Sequence, residues 1–370
     1  MTRETKLPHV AVVGLGGTIA SSTLAPDDFI NYGAPGFHVD ELLEYLRPEL
    51  LSVAELDGEQ VLASGSSALS VADLVRVSEA VNDALATADA VVVTSGSDAL
   101  EEIAYWLDLT VPADRPVIVT GSMRPFAVRD PERPTPPTRL VHGTDGPANL
   151  LSAVRVAASG VTAGQGVVVV FGDLLHAARD VVKRHSTLPD PFESPSAGPI
   201  GYVFGGSVVL HRHVVRPPGN PAEPLVDLTH RADGEELPRV EILVSYPGGG
   251  GEAVAAYVDA GVRGLVIAGM GFGAISNDLA GAAGEAARNG LPVVCVSRTG
   301  AGSAVAKLGW EIAIGDLAPT KARLLLILAL IGGKSQPGIV ETIHRLAKPA
   351  EPRGRGESSA GAGAALPSSP

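Results

Sequence analysis

Short, unbroken apolar runs recur along this chain, separated by glycine- or serine-rich turns and by helical patterns. His9-Val-Ala-Val-Val13 leads into a glycine turn, and Ala90-Val-Val-Val-Thr94 leads into a serine-rich one. Pro116-Val-Ile-Val-Thr120 and Gly166-Val-Val-Val-Val-Phe171 repeat the pattern. A strand with one wet face alternates apolar and polar residues. Continuous Val/Ile runs belong instead to strands covered on both faces, as in a parallel α/β sheet. After Thr94, residues Leu100, Ile103, Ala104 and Leu107 recur at helical spacing and predict one apolar stripe. The rhythm breaks at residues 215–238, a polar, proline-bearing stretch that reads as an interdomain linker. It resumes with Val240-Glu-Ile-Leu-Val-Ser, Gly264-Leu-Val-Ile-Ala-Gly and Pro292-Val-Val-Cys-Val, with helical patterns around 253–260 and 279–288 and a final helix over 319–330.

The pattern divides the chain into a larger α/β domain over residues 1–214, the linker, a smaller α/β domain over 239–347 and a tail over 348–370. The tail has almost nothing to bury and is expected to be disordered. Residues 127–142, AVRDPERPTPPTRLVH, combine four prolines with several charges and read as an exposed insertion inside the first domain. At 370 residues there is room for two cores.

Composition narrows the function classes. Hydrophobic residues make up 45% and charged residues 19%, as in an ordinary globular enzyme, and the net charge of −13 argues against a general nucleic-acid binder, which needs a basic face. The single cysteine, Cys295, cannot form an internal disulfide and sits in an apolar run as a core residue. No basic-then-apolar leader precedes the first strand, and the longest apolar run, residues 324–331, is too short to cross a bilayer. A cytoplasmic enzyme with no membrane partner is the expectation.

The first turn, Val13-Gly-Leu-Gly-Gly-Thr-Ile-Ala20, follows a strand and could hold a phosphate or a nucleophile. A dinucleotide fingerprint needs G-x-G-x-x-G, but Gly14 and Gly16 are followed by Ile19 at the third position. Asp40 lies near the distance of the ribose-binding acid, yet it opens a helical pattern instead of closing a strand. Gly333-Lys334-Ser335 has Leu328 where a P-loop needs its first glycine. Neither nucleotide pattern is met.

What remains is Thr18 on a Gly-Gly turn at the carboxyl end of a strand, where α/β proteins place their ligands. Thr18 could instead cap the next element. Thr94-Ser-Gly-Ser-Asp-Ala-Leu-Glu supplies a second hydroxyl-rich turn, with Ser97 beside Asp98, and Asp98-x-x-Glu101 also fits a capping box. Ala178-Arg-Asp-Val-Val-Lys183 adds an amine able to activate a hydroxyl, although a lone lysine is more often solvated. No HExxH or paired-Cys pattern is present, so no metal or other cofactor is expected. His211-x-His213 reads as an incidental pair in a strand.

Together these stretches resemble the bacterial-type L-asparaginases of the asparaginase/glutaminase family. GGTIA matches the first family signature, and SGSDALEEIAYWLDLT is similar to the second. Gly121-Ser-Met-Arg-Pro125, Asp145-Gly-Pro-Ala-Asn-Leu150, Ala178-Arg-Asp180, Gly198-Pro-Ile-Gly201 and Pro319-Thr-Lys-Ala-Arg323 follow in order. The resemblance implies a parallel-sheet catalytic domain, a flavodoxin-like second domain and a homotetramer built as a dimer of dimers. It implies hydrolysis of L-asparagine to L-aspartate and ammonia through an acyl-enzyme. Thr18 would be the nucleophile, Tyr32 its activating neighbour from the following loop, and Lys183 and Ser97-Asp98 the remaining catalytic groups. Gly17, Ser66, Ser67, Gly96, Ser97, Asp98 and Ser122 would bind the amino-acid substrate. Ser66 would grip its carboxylate, Asp98 would bind its α-amino group, and the Ser122 carbonyl would face the leaving amide.

The chain departs from the family pattern in three places. Ser95 and Ser97 stand where the family usually has histidine and threonine, and serine keeps the hydroxyl with a freer rotamer. Ala274 stands where the family often has asparagine. The loop at 298–305 is short, and no acidic residue lies between Glu285 and Glu311, where a partner subunit's glutamate would be expected. Preference for glutamine or another small amide therefore stays open, as does a catalytically weak amino-acid-binding regulator.

Overall fold

The Val-rich runs are the strands. The computed structural model describes residues 6–129, 139–228, 236–331 and 335–347. In the first domain β1 (His9–Gly16), β2 (Glu55–Ser64), β3 (Ala90–Gly96), β4 (Val117–Ser122) and β5 (Val167–Phe171) run parallel in the order β2-β1-β3-β4-β5. Every residue of β1 after His9, and all of β3, β4 and β5, is buried, as unbroken apolar runs require. Three further strands, β6 (Leu174–Ala177), β7 (Gly201–Phe204) and β8 (Ser207–Leu210), extend the β5 edge antiparallel to make eight. The sheet is thus parallel-dominated, with an antiparallel edge.

The helix Leu100–Thr110 carries the predicted stripe of Leu100, Ile103, Ala104 and Leu107, all buried. Tyr105, Trp106 and Leu109 are buried too, as the helix Val71–Thr87 and, from the second domain, the helix Pro319–Leu330 both lie against it. Two of its buried polar side chains are matched inside this cover, whereas the Tyr105 hydroxyl has no partner among the described residues. Trp106 Nε1 donates to Ser78 Oγ at 2.8 Å, and the Ser78 and Thr110 hydroxyls lie 2.8 Å apart.

The smaller domain stacks β9 (Val240–Val244), β10 (Gly264–Gly269), β11 (Val293–Ser297) and β12 (Ile312–Ala313) in parallel, in chain order. Cys295 is buried in β11, its thiol donates to the Gly273 carbonyl at 3.4 Å, and burial pushes its pKa up to about 11. Leu324, Leu325 and Leu328 join the same apolar cluster as Trp106 and Leu107, so one core spans both domains.

Several details differ from expectation. The helix over 319–330 is followed by another, Gln336–Ala347, with Ile339, Ile343 and Leu346 buried. His211 and His213 lie beyond the end of β8; His213 Nδ1 is 3.0 Å from Gln165 Nε2, and the His211 ring tilts on Tyr202. The stretch after residue 215 lies against the first domain, where Arg216 forms an ion pair with Asp108 and Val226 donates to the Leu109 carbonyl at 2.8 Å. The two ends of the 127–142 insertion pair with the loop after β1. Ala127–Val128 lies beside Ser22–Thr23 in a parallel bridge, and His142 donates to the Pro26 carbonyl at 2.8 Å. Residues 130–138 of that insertion, 229–235 of the linker and the tail at 348–370 lie outside the described residues.

Candidate active site

The four turns that carry the candidate side chains leave four adjacent parallel strands at one end of the sheet. Gly16 of β1 sits opposite Ser64 of β2, and Gly96 of β3 opposite Ser122 of β4. Ser66 follows β2, Thr18 follows β1, Ser97 follows β3, and Ser122 closes β4. This is the carboxyl edge of the sheet, where strand ends open toward ligands.

Glycines let these turns touch. Gly17 has φ 80°, and a Cβ there would overlap the Gly96 backbone. A Cβ on Gly96 would in turn lie 2.7 Å from Ser66 Oγ. The Thr18, Ser66 and Ser97 turns therefore meet backbone to backbone, as side chains on either glycine would forbid. Gly17→Ala combines a left-handed backbone, costing about 1–2 kcal/mol, with that overlap. It is expected to lower the melting temperature and to reduce turnover at least about tenfold through misplacement of Thr18. A variant with the parent's melting curve and turnover would contradict the close approach.

Thr18 opens a single 3₁₀ turn, Thr18–Ala20, without capping it by its side chain. It is 9% exposed, and its Oγ1 lies 3.2 Å from the hydroxyl of Tyr32, which is 38% exposed. The loop holding Tyr32 is pinned from the neighbouring segment: Phe126 donates to the Ser21 carbonyl at 2.9 Å, and the Arg124 guanidinium covers the Phe29 ring.

Lys183 arrives from the far side, in a two-residue strand, Val182–Lys183, paired with Phe192–Glu193. Its Nζ donates to Ser97 Oγ at 2.9 Å and to Asp98 Oδ1 at 2.6 Å. The lysine side chain is 14% exposed and the Asp98 side chain 72%, so the carboxylate keeps an open side. The capping box expected from Asp98 and Glu101 does not form. Ala99 occupies the N-cap position without a side-chain bond, Asp98 is engaged by Lys183, and Glu101 accepts the backbone N–H of Lys183. An amine and an amide N–H are the stronger claim on those carboxylates.

The other candidates divide. Ser66 is buried, and its Oγ accepts the Ala99 N–H at 3.3 Å. Ser66, Ser67, Ser70, Asp98 and Glu102 line a cavity of about 330 Å³. The Glu102 carboxyl there is held above its usual pKa by burial and by the charge of Glu101. Ser122 is fully buried, and its hydroxyl donates to the Arg124 carbonyl at 2.8 Å, leaving only its main chain for any ligand role.

Sequence reasoning missed the second tier. Thr320 Oγ1 donates to Glu101 at 3.4 Å, and Lys321 sits fully buried beneath the 178–181 segment. The available signal was a lysine in the first turn of a helix whose later turns are wholly apolar, PTKARLLLILAL.

Comparison with known proteins gives one consistent picture. Residues 9–216 match the "Asparaginase, N-terminal" family model, and residues 239–343 match the "Glutaminase/Asparaginase C-terminal domain" model. L-asparaginase 2 of Bacillus subtilis (strain 168) is 34% identical over 330 residues, covering 88% of this chain and 83% of that protein. A probable periplasmic L-asparaginase of Haemophilus influenzae is 33% identical over 347 residues, covering 90% of this chain and 92% of that protein. The crystal structure of a probable cytoplasmic L-asparaginase from Campylobacter jejuni superposes with a TM-score of 0.82 at 32% identity, covering 91% of this chain and 99% of that one.

Proposed function

The chain belongs to the asparaginase family, and from that membership together with the site geometry we infer that it hydrolyses L-asparagine to L-aspartate and ammonia. Thr18 Oγ1 attacks the side-chain carboxamide carbon, and its proton passes toward Tyr32, with which it shares a hydrogen bond. The C–N bond then breaks as the nitrogen takes a proton relayed through the Lys183–Ser97 pair and leaves as ammonia. Water cleaves the resulting ester, releasing aspartate and restoring the hydroxyl. Backbone N–H groups of the Gly17–Thr18 and Ser97 turns face the developing oxyanion, each contributing about 3 kcal/mol to the transition state. Ser66 takes the substrate carboxylate, and the open side of Asp98 takes the α-ammonium beside Lys183. Gly17, Ser67, Gly96 and the Ser122 main chain complete the binding wall.

The observation that carries this reading is the reach of Lys183 Nζ to both Ser97 Oγ and Asp98 Oδ1 across 85 or more residues of sequence. A surface lysine has no reason to be buried against that pair. The test is ammonia release by the purified protein supplied with asparagine, glutamine and a dipeptide amide. Asparagine should be turned over fastest. Binding of asparagine without ammonia at any pH tried would mark a regulator instead.

A preference for glutamine has one observation in its favour. Ala274 offers only a methyl group, and its backbone closes a tight turn with Met270 through bonds of 2.7 and 2.8 Å. Nothing polar projects from it to favour the shorter substrate.

We further propose a cytoplasmic homotetramer, a dimer of dimers. Likeness over nearly the whole length of the Campylobacter jejuni protein supports the location, and a lone buried thiol suits a reducing compartment. No described helix is long and apolar enough to cross a membrane. Light scattering after gel filtration should give a mass of four chains, and a stable monomer would refute the assembly.

A further inference from the structure

Lys321 is a charged side chain with no exposure, at the start of the helix Pro319–Leu330 in the second domain. Its Nζ donates to the backbone carbonyls of Ala178 at 2.8 Å, Arg179 at 3.1 Å and Val181. An ammonium has three N–H donors and these are three carbonyl acceptors, so the match is complete. All three acceptors lie within five residues of Lys183, in the turn that leads into its two-residue strand. Resting on the reading of the site given above, we propose that Lys321 is a positioning residue for the reaction. It fixes the main chain of residues 178–181, so that the Lys183 amine lies against Ser97.

The neighbouring contacts act on the same segment. Glu101 accepts the Lys183 N–H and also a bond from Thr320, the residue before Lys321. Arg179 is tied to Asp316 at 2.7 Å, to Asp180 at 3.0 Å and to the Ala347 carbonyl at 2.9 Å. The second domain thus holds the Lys183 strand from below while the first domain presents Ser97 and Asp98 from above. Burial pushes the Lys321 amine down to about 8, with Glu101 and Asp180 opposing the shift. It therefore keeps its third proton near neutral pH. A leucine or methionine would pack this helix more cheaply, since an ammonium must first be stripped of its water. The charge is explained by what it holds.

The test uses the full-length protein carrying Lys321→Met, Lys321→Gln and Lys183→Met, with Lys321→Met combined with Lys183→Met, each checked for folding by circular dichroism and thermal melting. Removing the three donors should lower kcat about tenfold, because a small misplacement at a reacting pair has effects of that order. KM should stay within about twofold, since Ser66 and Asp98 are untouched. Lys321→Gln keeps a donating amide and should recover part of the loss. In the Lys183→Met background the Lys321→Met change should have no further effect on kcat, since there is no amine left to place. An equal fold-loss in both backgrounds would mean a merely structural lysine and overturn the proposal. So would a folded Lys321→Met with the parent's kcat beside a crippled Lys183→Met. Full activity of Lys183→Met alone would instead overturn the reading of the site itself. If Lys321→Met does not fold, the comparison is made with Lys321→Gln in both backgrounds.

Discussion

Thr18→Ala is expected to lower kcat for asparagine by about four orders of magnitude while the protein stays folded, because loss of a nucleophile removes the covalent route entirely. The structural cost of the change is small. Among the described residues the only side-chain hydrogen bond at Thr18 Oγ1 is to Tyr32, itself partly exposed, and the turn is set by the Gly17 backbone, not by the threonine. A hydroxyl and a methyl group lost at such a site cost about 1 kcal/mol of stability. Thr18→Ser keeps the oxygen and should retain most of the turnover, with a looser rotamer as its only handicap. Initial rates of ammonia release, normalised to folded protein, separate these outcomes. Parent-like activity in Thr18→Ala would remove the nucleophile assignment.

The second large effect belongs to Lys183. Lys183→Met preserves the length and apolar stem of the side chain and deletes the amine that contacts Ser97 Oγ at 2.9 Å and Asp98 Oδ1 at 2.6 Å. Kcat should fall about a thousandfold, within the range for removal of a positioned proton-transfer group. KM should move less. Asp98 loses its ion-pair partner, but its largely exposed carboxylate stays solvated and free to take the substrate ammonium. Steady-state kinetics over a range of asparagine concentrations distinguish the two parameters. A variant with unchanged kcat and raised KM would show that the lysine serves binding, not proton transfer.

The fold was legible where one residue type carries the whole message. The Val/Ile runs of β1, β3, β4 and β5 can only be strands covered on both faces, and they are. Strand β2, ELDGEQVLAS, escaped because it lies at the sheet edge, partly exposed, with polar residues where the others have valine. The β7–β8 hairpin was within reach. Gly205-Gly206 between Tyr202-Val-Phe and Ser207-Val-Val-Leu is a two-residue turn signal.

The candidate site shows the same division. Thr18, Ser97, Asp98 and Lys183 could be picked from sequence because side-chain chemistry and family-like spacing mark them. The fold brings Thr18 to Tyr32 and Lys183 to the Ser97-Asp98 pair. Glu101 and Lys321 could not be assigned in this way. Their partners are main-chain N–H and carbonyl groups of residues 178–183, which every sequence possesses and no motif records. Glu101 illustrates the trap: its spacing from Asp98 fitted a helix cap, and a tertiary contact claimed it instead. The Ser122 hydroxyl is spent on the Arg124 carbonyl, which leaves the main chain for the role that the family resemblance implies.

The most direct test of the account is to catch the intermediate. Protein mixed with asparagine, quenched in acid within the first turnovers and digested should yield one peptide heavier by an aspartyl group. Fragmentation should place that group on Thr18, and Thr18→Ala should show none. An aspartyl adduct on Ser97 or Lys183 in the parent protein, or an adduct of unchanged yield in Thr18→Ala, would contradict it.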